Sequence, residues 1–542
     1  MTDVHTVGGP AGEAAPGAAG AAGAEPDGER LEHVDVLIVG AGLSGIGAAC
    51  HLRRTLPGRT FAILEARGAS GGTWDLFRYP GIRSDSDMFT LGYSFRPWTS
   101  STSIADGTAI REYVRETARE YRVDEAIRYH RRAVAASWSS ADARWTVEVR
   151  HTDGLDDAAA GDPAADLAGA TTSRLTCSFL WVCAGYYRYD AGYTPEFPGI
   201  GDYAGRVVHP QHWPEDLDYA GKRVVVIGSG ATAVTLVPAM AETAGHVTML
   251  QRSPSYVLSL PKRDPVAALL RRRLPIETAY AIVRWKNVLL SAFFFRLSRR
   301  RPKLVRSLIR RGAIKLLPEG YDVDTHFAPR YDPWDQRLCL VPDGDLFRAI
   351  ASGRASMATG EIDTFTEKGI RLASGEELAA DVVVTATGLR LLPVGGLGLT
   401  VDGEPAPLAG RLTYRGMMLD GIPNLAFVVG YTNASWTLKA DLVSAYVCRL
   451  LRHLDDNGLA TVVPVAPASV ERLPLIDLKS GYVLRSLAEM PSQGPAAPWR
   501  LYQNYPRDLR LLGHAPITDG ALRFSAAVRQ PAPTTTSTAV AP

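Results

Sequence analysis

Two glycine-rich stretches of this 542-residue chain have the composition and spacing to hold phosphate groups: Gly40-Ala41-Gly42-Leu43-Ser44-Gly45 and Gly228-Ser229-Gly230-Ala231-Thr232-Ala233. A Gly-x-Gly-x-x-Gly turn between a strand and a helix brings backbone N–H groups up to a pyrophosphate, which rests on the helix N-terminus. In the first stretch Gly40 makes the turn, Gly42 admits the pyrophosphate and Gly45 allows close helix–strand packing. The second ends in Ala233, a form common where NADP binds. The residues that follow differ in charge. Glu65 ends the run FAIL, where a carboxylate accepts hydrogen bonds from ribose hydroxyls. Arg252 and Ser253 end VTMLQ, where an acid would repel a 2′-phosphate and an arginine attracts it. This predicts NADPH in preference to NADH at the second site.

Three further stretches concentrate reactive side chains. Gly71 to Asp85 (GGTWDLFRYPGIRSD) packs two glycine turns, aromatics, arginines and acids into one loop, which suggests a lined site. Tyr331 to Cys339 (YDPWDQRLC) is a second dense cluster. Tyr203 to Pro214 (YAGRVVHPQHWP) lies between the two glycine loops, where a joining segment can sense both nucleotide sites.

The elements that must position these residues can be read from the patterning. VDVLIV before Gly40 and the strand from Arg223 to Ile227 before Gly228 are apolar runs of the kind found in buried parallel strands. Phe179 to Gly185 (FLWVCAG) is expected to return the chain to the first sheet. Residues 108–122 read as an amphipathic helix, and Val134–Trp138 with Trp145–Val149 as antiparallel strands. Asp381 to Gly388 (DVVVTATG) reads as a buried strand, and a helix carries Asp441 to Leu451. The predicted fold is α/β: two Rossmann-like dinucleotide-binding domains with a helical insert. The first domain is expected over 34–200 with a loop insertion at 151–172, and the linker over 201–216. The second domain is expected over 217–380 with the insert at 262–330, followed by a return to the first over 381–527. Loose tails are expected over 1–33 and 528–542.

Composition narrows the function classes. A net charge of +2 gives no global signal for nucleic acid. The charge is uneven: Lys262 to Lys315 holds 16 Lys/Arg and two acids, an excess of about +14. Within it, Tyr280 to Leu297 mixes Trp285 and Phe293 to Phe295 with Arg284, Lys286 and Arg296. Such a face can meet an anionic membrane, but the commoner outcome is a helical insert with its aromatics packed inward, which is the expectation here. No uncharged apolar run approaches the length of a spanning helix, so any membrane contact is peripheral. The five cysteines, Cys50, Cys177, Cys183, Cys339 and Cys448, are odd in number and lack CxxC spacing. This argues for a reducing, cytoplasmic setting without disulfides or zinc. It also argues against a disulfide reductase, which shares two Rossmann units.

The chain is identified by resemblance as a Baeyer–Villiger flavin monooxygenase. Tyr203 to Trp213 resembles the fingerprint F-x-G-x-x-x-H-x-x-x-W, with tyrosine replacing the first phenylalanine. The stretches GGTWDLFRYPGIRSD, YDPWDQRLCLVPDGDLFRAI and GYTNASWTLKADLVS place it closest to the subgroup typified by ethionamide monooxygenase, which activates thioamide prodrugs. The resemblance implies FAD and NADPH as cofactors, dioxygen as co-substrate, and a small ketone or sulfur compound as substrate. By position, Thr73, Trp74, Asp75 and Leu76 resemble flavin contacts, and Val134 joins them. Arg83, Ser84 and Asp85 resemble contacts at the flavin–nicotinamide junction. Arg337 corresponds to the arginine that stabilises the peroxyflavin and the oxyanion that follows, and Asp85 to the aspartate that orients it. Gln336 stands where many relatives have lysine, so Arg252 must do more to hold the 2′-phosphate. The alternative class is a heteroatom-oxygenating flavin monooxygenase without ketone activity.

Overall fold

The computed structural model describes residues 31–156, 159–160 and 171–526. Nearly all of both expected tails and most of the expected loop after His151 lie outside them. The first apolar run forms β1 (Glu32–Val39), which turns through Gly40 into α1 (Leu43–Thr55) and back as β2 (Phe61–Leu64). The chain continues into β3 (Ile127–Arg128), β4 (Arg131–Ser139), β5 (Arg144–His151) and β6 (Thr172–Val182). β1 lies parallel between β2 and β6, with Leu37 opposite Ala62 and Leu180. β4, β5 and β6 form an antiparallel arm in which Trp138 pairs with Trp145, and both indoles are buried. The amphipathic helix predicted over 108–122 forms over Gly107–Glu120, with Asp106 as N-cap.

The segment after β6 carries β7 (Arg206–Val208), then β8 (Arg223–Ile227), α2 (Ala231–Met240) and β9 (His246–Gln251). With β10 (Ala355–Thr359) and β11 (Val382–Thr385) these strands form a second, all-parallel sheet of order β10-β9-β8-β11-β7. Two boundaries differ from expectation. β7, placed in the linker, is an edge strand of the second sheet. β11, read as the start of the return, pairs with β8 at Val382–Val224, so the return begins at β12 (Gly398–Val401), which pairs with β4. A buried four-residue valine-rich strand has no local mark of which sheet it joins; the register of its neighbours decides. β13 (Glu404–Pro405) extends that edge, and β14 (Leu425–Phe427) pairs with the end of β6.

Between the halves of the second Rossmann unit lies the insert: α3 (Pro265–Leu270), α4 (Ile276–Arg300), α5 (Pro302–Leu316) and α6 (Val323–Phe327). The expectation that its aromatics pack inward holds only in part. Phe295 meets Trp334 edge-on, with ring centroids 5.5 Å apart, and Phe294 packs on the Tyr256 cluster. Phe293 is 63% exposed, and Trp285, Leu289 and Leu290 are also exposed. The last long helix, α7 (Trp436–Asp456), lies across α1 and buries Leu442, Val443, Val447 and Leu450. All five cysteines are free and buried.

Candidate active site

Both glycine loops end at helices that start on an uncapped glycine. Gly42 precedes α1 and Gly230 precedes α2, and neither N-terminus receives a side-chain hydrogen bond. The first-turn N–H groups are left for an anion. The space fits such a ligand. A Cβ on Gly230 would meet nothing within 4 Å, and one on Gly42 would meet only Gly72, at 3.5 Å. Gly72 has φ +57, so the two glycine backbones face each other across a narrow slot. Gly45 serves a different purpose: its Cβ would lie 1.9 Å from the Gly40 carbonyl oxygen. Glu65 accepts from Ala41 N–H at 2.8 Å and Arg67 N–H at 3.1 Å, so it also braces the first loop. Val134 sits at a bulge where the β4–β5 register shifts, a position that frees backbone from the ladder.

The structure gives several predicted contacts another partner. Ser44 accepts at Oγ from Trp436 Nε1 at 2.8 Å, which joins the first loop to the start of α7. Thr73 to Leu76 form one helical turn beside the slot. Within it Asp75 is turned away and buried, accepting from Arg67 and Arg115 at 2.7 Å each, with Arg111 at 3.6 Å. Asp75 therefore holds the turn in place through an arginine cluster instead of facing the slot. Arg83 lies between the two Rossmann units, but its guanidinium is tied to Asp345 and to the Val234 carbonyl. It clamps the domains together. Ser84 is buried with an unpartnered Oγ among the described residues.

Asp85 and Arg337 come together across 252 positions of chain: Arg337 Nη2 lies 2.7 Å from Asp85 Oδ2. About a third of each side chain remains accessible, 32% and 31%. The adjacent carboxylate raises the arginine further above its ordinary range, so the cation is permanent. Tyr186, Tyr187 and Tyr482 face the pair, with the Tyr186 and Tyr187 hydroxyls 3.4 Å apart. Burial raises all three phenols, Tyr187 to about 12, so they remain neutral. The sequence reading missed these tyrosines. Tyr186 and Tyr187 directly follow the FLWVCAG strand, a position that marks the mouth of a parallel sheet. Tyr482 carries no comparable signal.

At the second loop Arg252 is exposed at the end of β9 and forms no ion pair among the described residues; Ser253 is exposed beside it. Gln251 faces the other way, donating to the His326 carbonyl and Thr359. Ser229 accepts from Ser255 Oγ at 2.9 Å, and Thr232 bonds Tyr79. Gly228, at φ +144, would drive a Cβ to 2.3 Å from the Ala386 carbonyl oxygen.

The joining segment connects these parts. His209 Nδ1 lies 3.2 Å from the Gln211 N–H, and its Nε2 lies 3.2 Å from the Gly388 carbonyl oxygen. Only a neutral ring with its proton on Nε2 satisfies both. Gly192 lies flat against the ring, with room for no side chain. Gly205 makes its turn over Tyr203, where a Cβ would lie 2.3 Å from the phenol oxygen. Burial lowers the His209 pKa from 6.5. The folded state thus binds fewer protons than the unfolded one below pH 6.5, and stability falls as pH drops through that range. A series of thermal midpoints from neutral pH downward should therefore slope less steeply in His209→Gln than in the unmodified protein. Equal slopes would show that His209 keeps an ordinary pKa.

Residues 38–116 match the model of an NAD(P)-binding Rossmann-like domain, and residues 169–277 match the model of flavin-binding monooxygenase-like proteins. The chain is 55% identical over 504 residues to the FAD-containing monooxygenase EthA of Mycobacterium tuberculosis, covering 93% of this chain and 99% of that one. It belongs to the FAD-containing monooxygenases. EthA of Mycolicibacterium smegmatis is 51% identical, over 91% of this chain and 97% of its own. Among solved structures, a steroid monooxygenase bound to NADP superposes with a TM-score of 0.69 at 22% identity, covering 91% of this chain and 100% of that one. The two-sheet architecture described above is therefore the fold that this steroid monooxygenase also adopts.

Proposed function

We propose that this monooxygenase uses FAD, NADPH and dioxygen to insert an oxygen atom beside a ketone carbonyl, giving an ester or lactone, and that the same site oxygenates sulfur in thioethers or thioamides. The observation that carries this reading is the Arg337–Asp85 pair, a fixed cation set among neutral tyrosines.

The N-terminus of α1 and the Gly42–Gly72 slot would hold the pyrophosphate of FAD, and the N-terminus of α2 at Gly230 that of NADPH. When bound, the flavin takes up reducing equivalents from the nicotinamide and uses them to activate dioxygen. The protein's own residues supply the rest. Attack on a carbonyl places negative charge on its oxygen. Arg337 can stabilise that oxyanion without reorganising, since its charge does not titrate and Asp85 holds its orientation. Tyr186, Tyr187 and Tyr482 pack against the cluster around Leu391 and Leu475 and present neutral phenols to Arg337. Arg83–Asp345 would hold the two Rossmann units in the relation that the chemistry requires, while His209–Gly388 ties the joining segment to the end of β11.

Arg252 should hold the 2′-phosphate almost unaided, because Gln336 carries no charge. A hydrogen bond to a charged group contributes about 1.5–3 kcal/mol, roughly ten- to a hundredfold in affinity. Arg252→Ala should weaken NADPH by that factor and leave NADH nearly unchanged, as read from the concentration dependence of flavin bleaching. Equal constants for the two nucleotides in the unmodified enzyme would overturn the assignment. Ketone oxygenation itself is tested by analysing products from linear and cyclic ketones and thioethers. Sulfoxides without any ester would favour the heteroatom-oxygenating class.

A further inference from the structure

The outer face of the insert is more apolar than its surroundings. Of the sixteen large hydrophobic side chains exposed among the described residues, thirteen fall between Leu260 and Leu316. On α4 they form a stripe: Ile282, Leu289 and Phe293 are spaced by seven and four residues, with Trp285 and Leu290 alongside. On α5, Leu304 and Leu308 continue the surface. Leu290 is 61% exposed and Leu289 56%. These helices are well anchored on their other sides. Arg284 pairs with Asp441 at 3.2 Å and donates to the Phe89 and Gly92 carbonyls, while Asn287 donates to Asp87 at 2.7 Å. α5 buries Val305, Ile309 and Ala313.

The same segment is strongly basic. Of the 16 Lys/Arg between Lys262 and Lys315, five make ion pairs: Arg284, Lys286, Arg299, Arg306 and Arg310. The other eleven, Arg296, Arg300 and Lys303 among them, have no acidic partner among the described residues. We propose that α3, α4 and α5 form a peripheral docking surface for an anionic lipid bilayer. Charge selects this occupant. A second copy related by a two-fold axis would bring like charge to like, with the exposed, unpaired Arg296, Arg300 and Lys303 beside the apolar stripe of each copy, whereas anionic headgroups neutralise them while the Leu/Phe stripe enters the interface. The surface lies on the membrane and does not cross it. The longest uncharged run within Tyr280–Leu297 is nine residues, Asn287 to Phe295, and no helix among the described residues is long and apolar enough to span. The proposal is independent of the oxygenation chemistry.

The test is flotation of the full-length, flavin-loaded protein with vesicles of phosphatidylcholine alone or mixed with phosphatidylglycerol, at low and high salt. Recovery with the anionic vesicles should exceed that with neutral ones by about tenfold or more. High salt should release most of it, because screening shortens the attraction to a few ångströms. Leu290→Ser/Phe293→Ser and Arg296→Ala/Arg300→Ala should each lose most of the bound fraction. Their flavin spectra and thermal midpoints should be unchanged, since the altered side chains are exposed. Failure of the unmodified protein to float, or equal flotation of the variants, would overturn the proposal. So would a dimer in solution that the Leu290→Ser/Phe293→Ser variant dissociates without any lipid binding.

Discussion

Arg337→Ala should fold, bind FAD and accept reducing equivalents from NADPH, yet form almost no oxygenated product. Its guanidinium contacts Asp85 and faces three tyrosines, and about a third of it remains accessible, so its removal leaves no buried charge stranded in a core. What is lost is a fixed cation where negative charge develops. Removing an uncharged oxyanion donor costs about a hundred- to a thousandfold in rate, and a cation held by a carboxylate should cost at least as much. Reducing equivalents should then leave as hydrogen peroxide. Asp85→Asn should show a milder form, because asparagine can still accept a hydrogen bond from Arg337 but gives up the ionic part of the contact. A purely structural role for the pair predicts misfolded or colourless protein instead. Rapid-mixing reduction and product analysis on one preparation separate the two. Near-normal product formation by Arg337→Ala would remove this residue from the mechanism.

Gly42→Val should give folded protein nearly devoid of flavin. Gly42 has ordinary backbone angles, φ −80 and ψ −171, which valine tolerates. Its Cβ would meet only Gly72, at ordinary contact distance. The fold therefore has little reason to object, but the branched side chain would occupy the slot meant for the pyrophosphate. Overpacking of this kind costs about 1–3 kcal/mol, roughly ten- to a hundredfold in affinity, and the absorbance ratio of flavin to protein should fall accordingly. Gly45→Val is the contrast. Its Cβ would sit 1.9 Å from the Gly40 carbonyl oxygen, far inside van der Waals contact, so the loop itself must shift and a lower thermal midpoint should accompany the loss of colour. Full flavin occupancy in Gly42→Val would place the pyrophosphate elsewhere.

Much of the architecture was legible because its signals are local. A continuous apolar strand, a glycine turn and a helix follow one another within a few residues at both loops, so the whole unit is encoded in neighbouring positions. The acid after one loop and the arginine after the other are equally local, and both sit at strand ends as expected. The pairing of Asp85 with Arg337 came from resemblance; nothing in the intervening chain encodes their 2.7 Å contact.

Where the reading fell short, the missing term was direction. Asp75 and Arg83 have the right types and positions for cofactor contacts, yet a carboxylate turns toward whichever arginines packing supplies, and Arg83 found Asp345. The insert shows the same limit. From composition alone, Phe293, Phe294 and Phe295 are indistinguishable, but each step along a helix rotates the side chain by about 100°. Phe294 and Phe295 turn onto the protein while Phe293 turns out. The sequence by itself thus determined two strand–glycine turn–helix units, since strand, turn and helix are written in consecutive residues. Only the tertiary structure decided which tyrosines surround the arginine and which face of the insert meets the surroundings, because those depend on the packing of segments hundreds of residues apart.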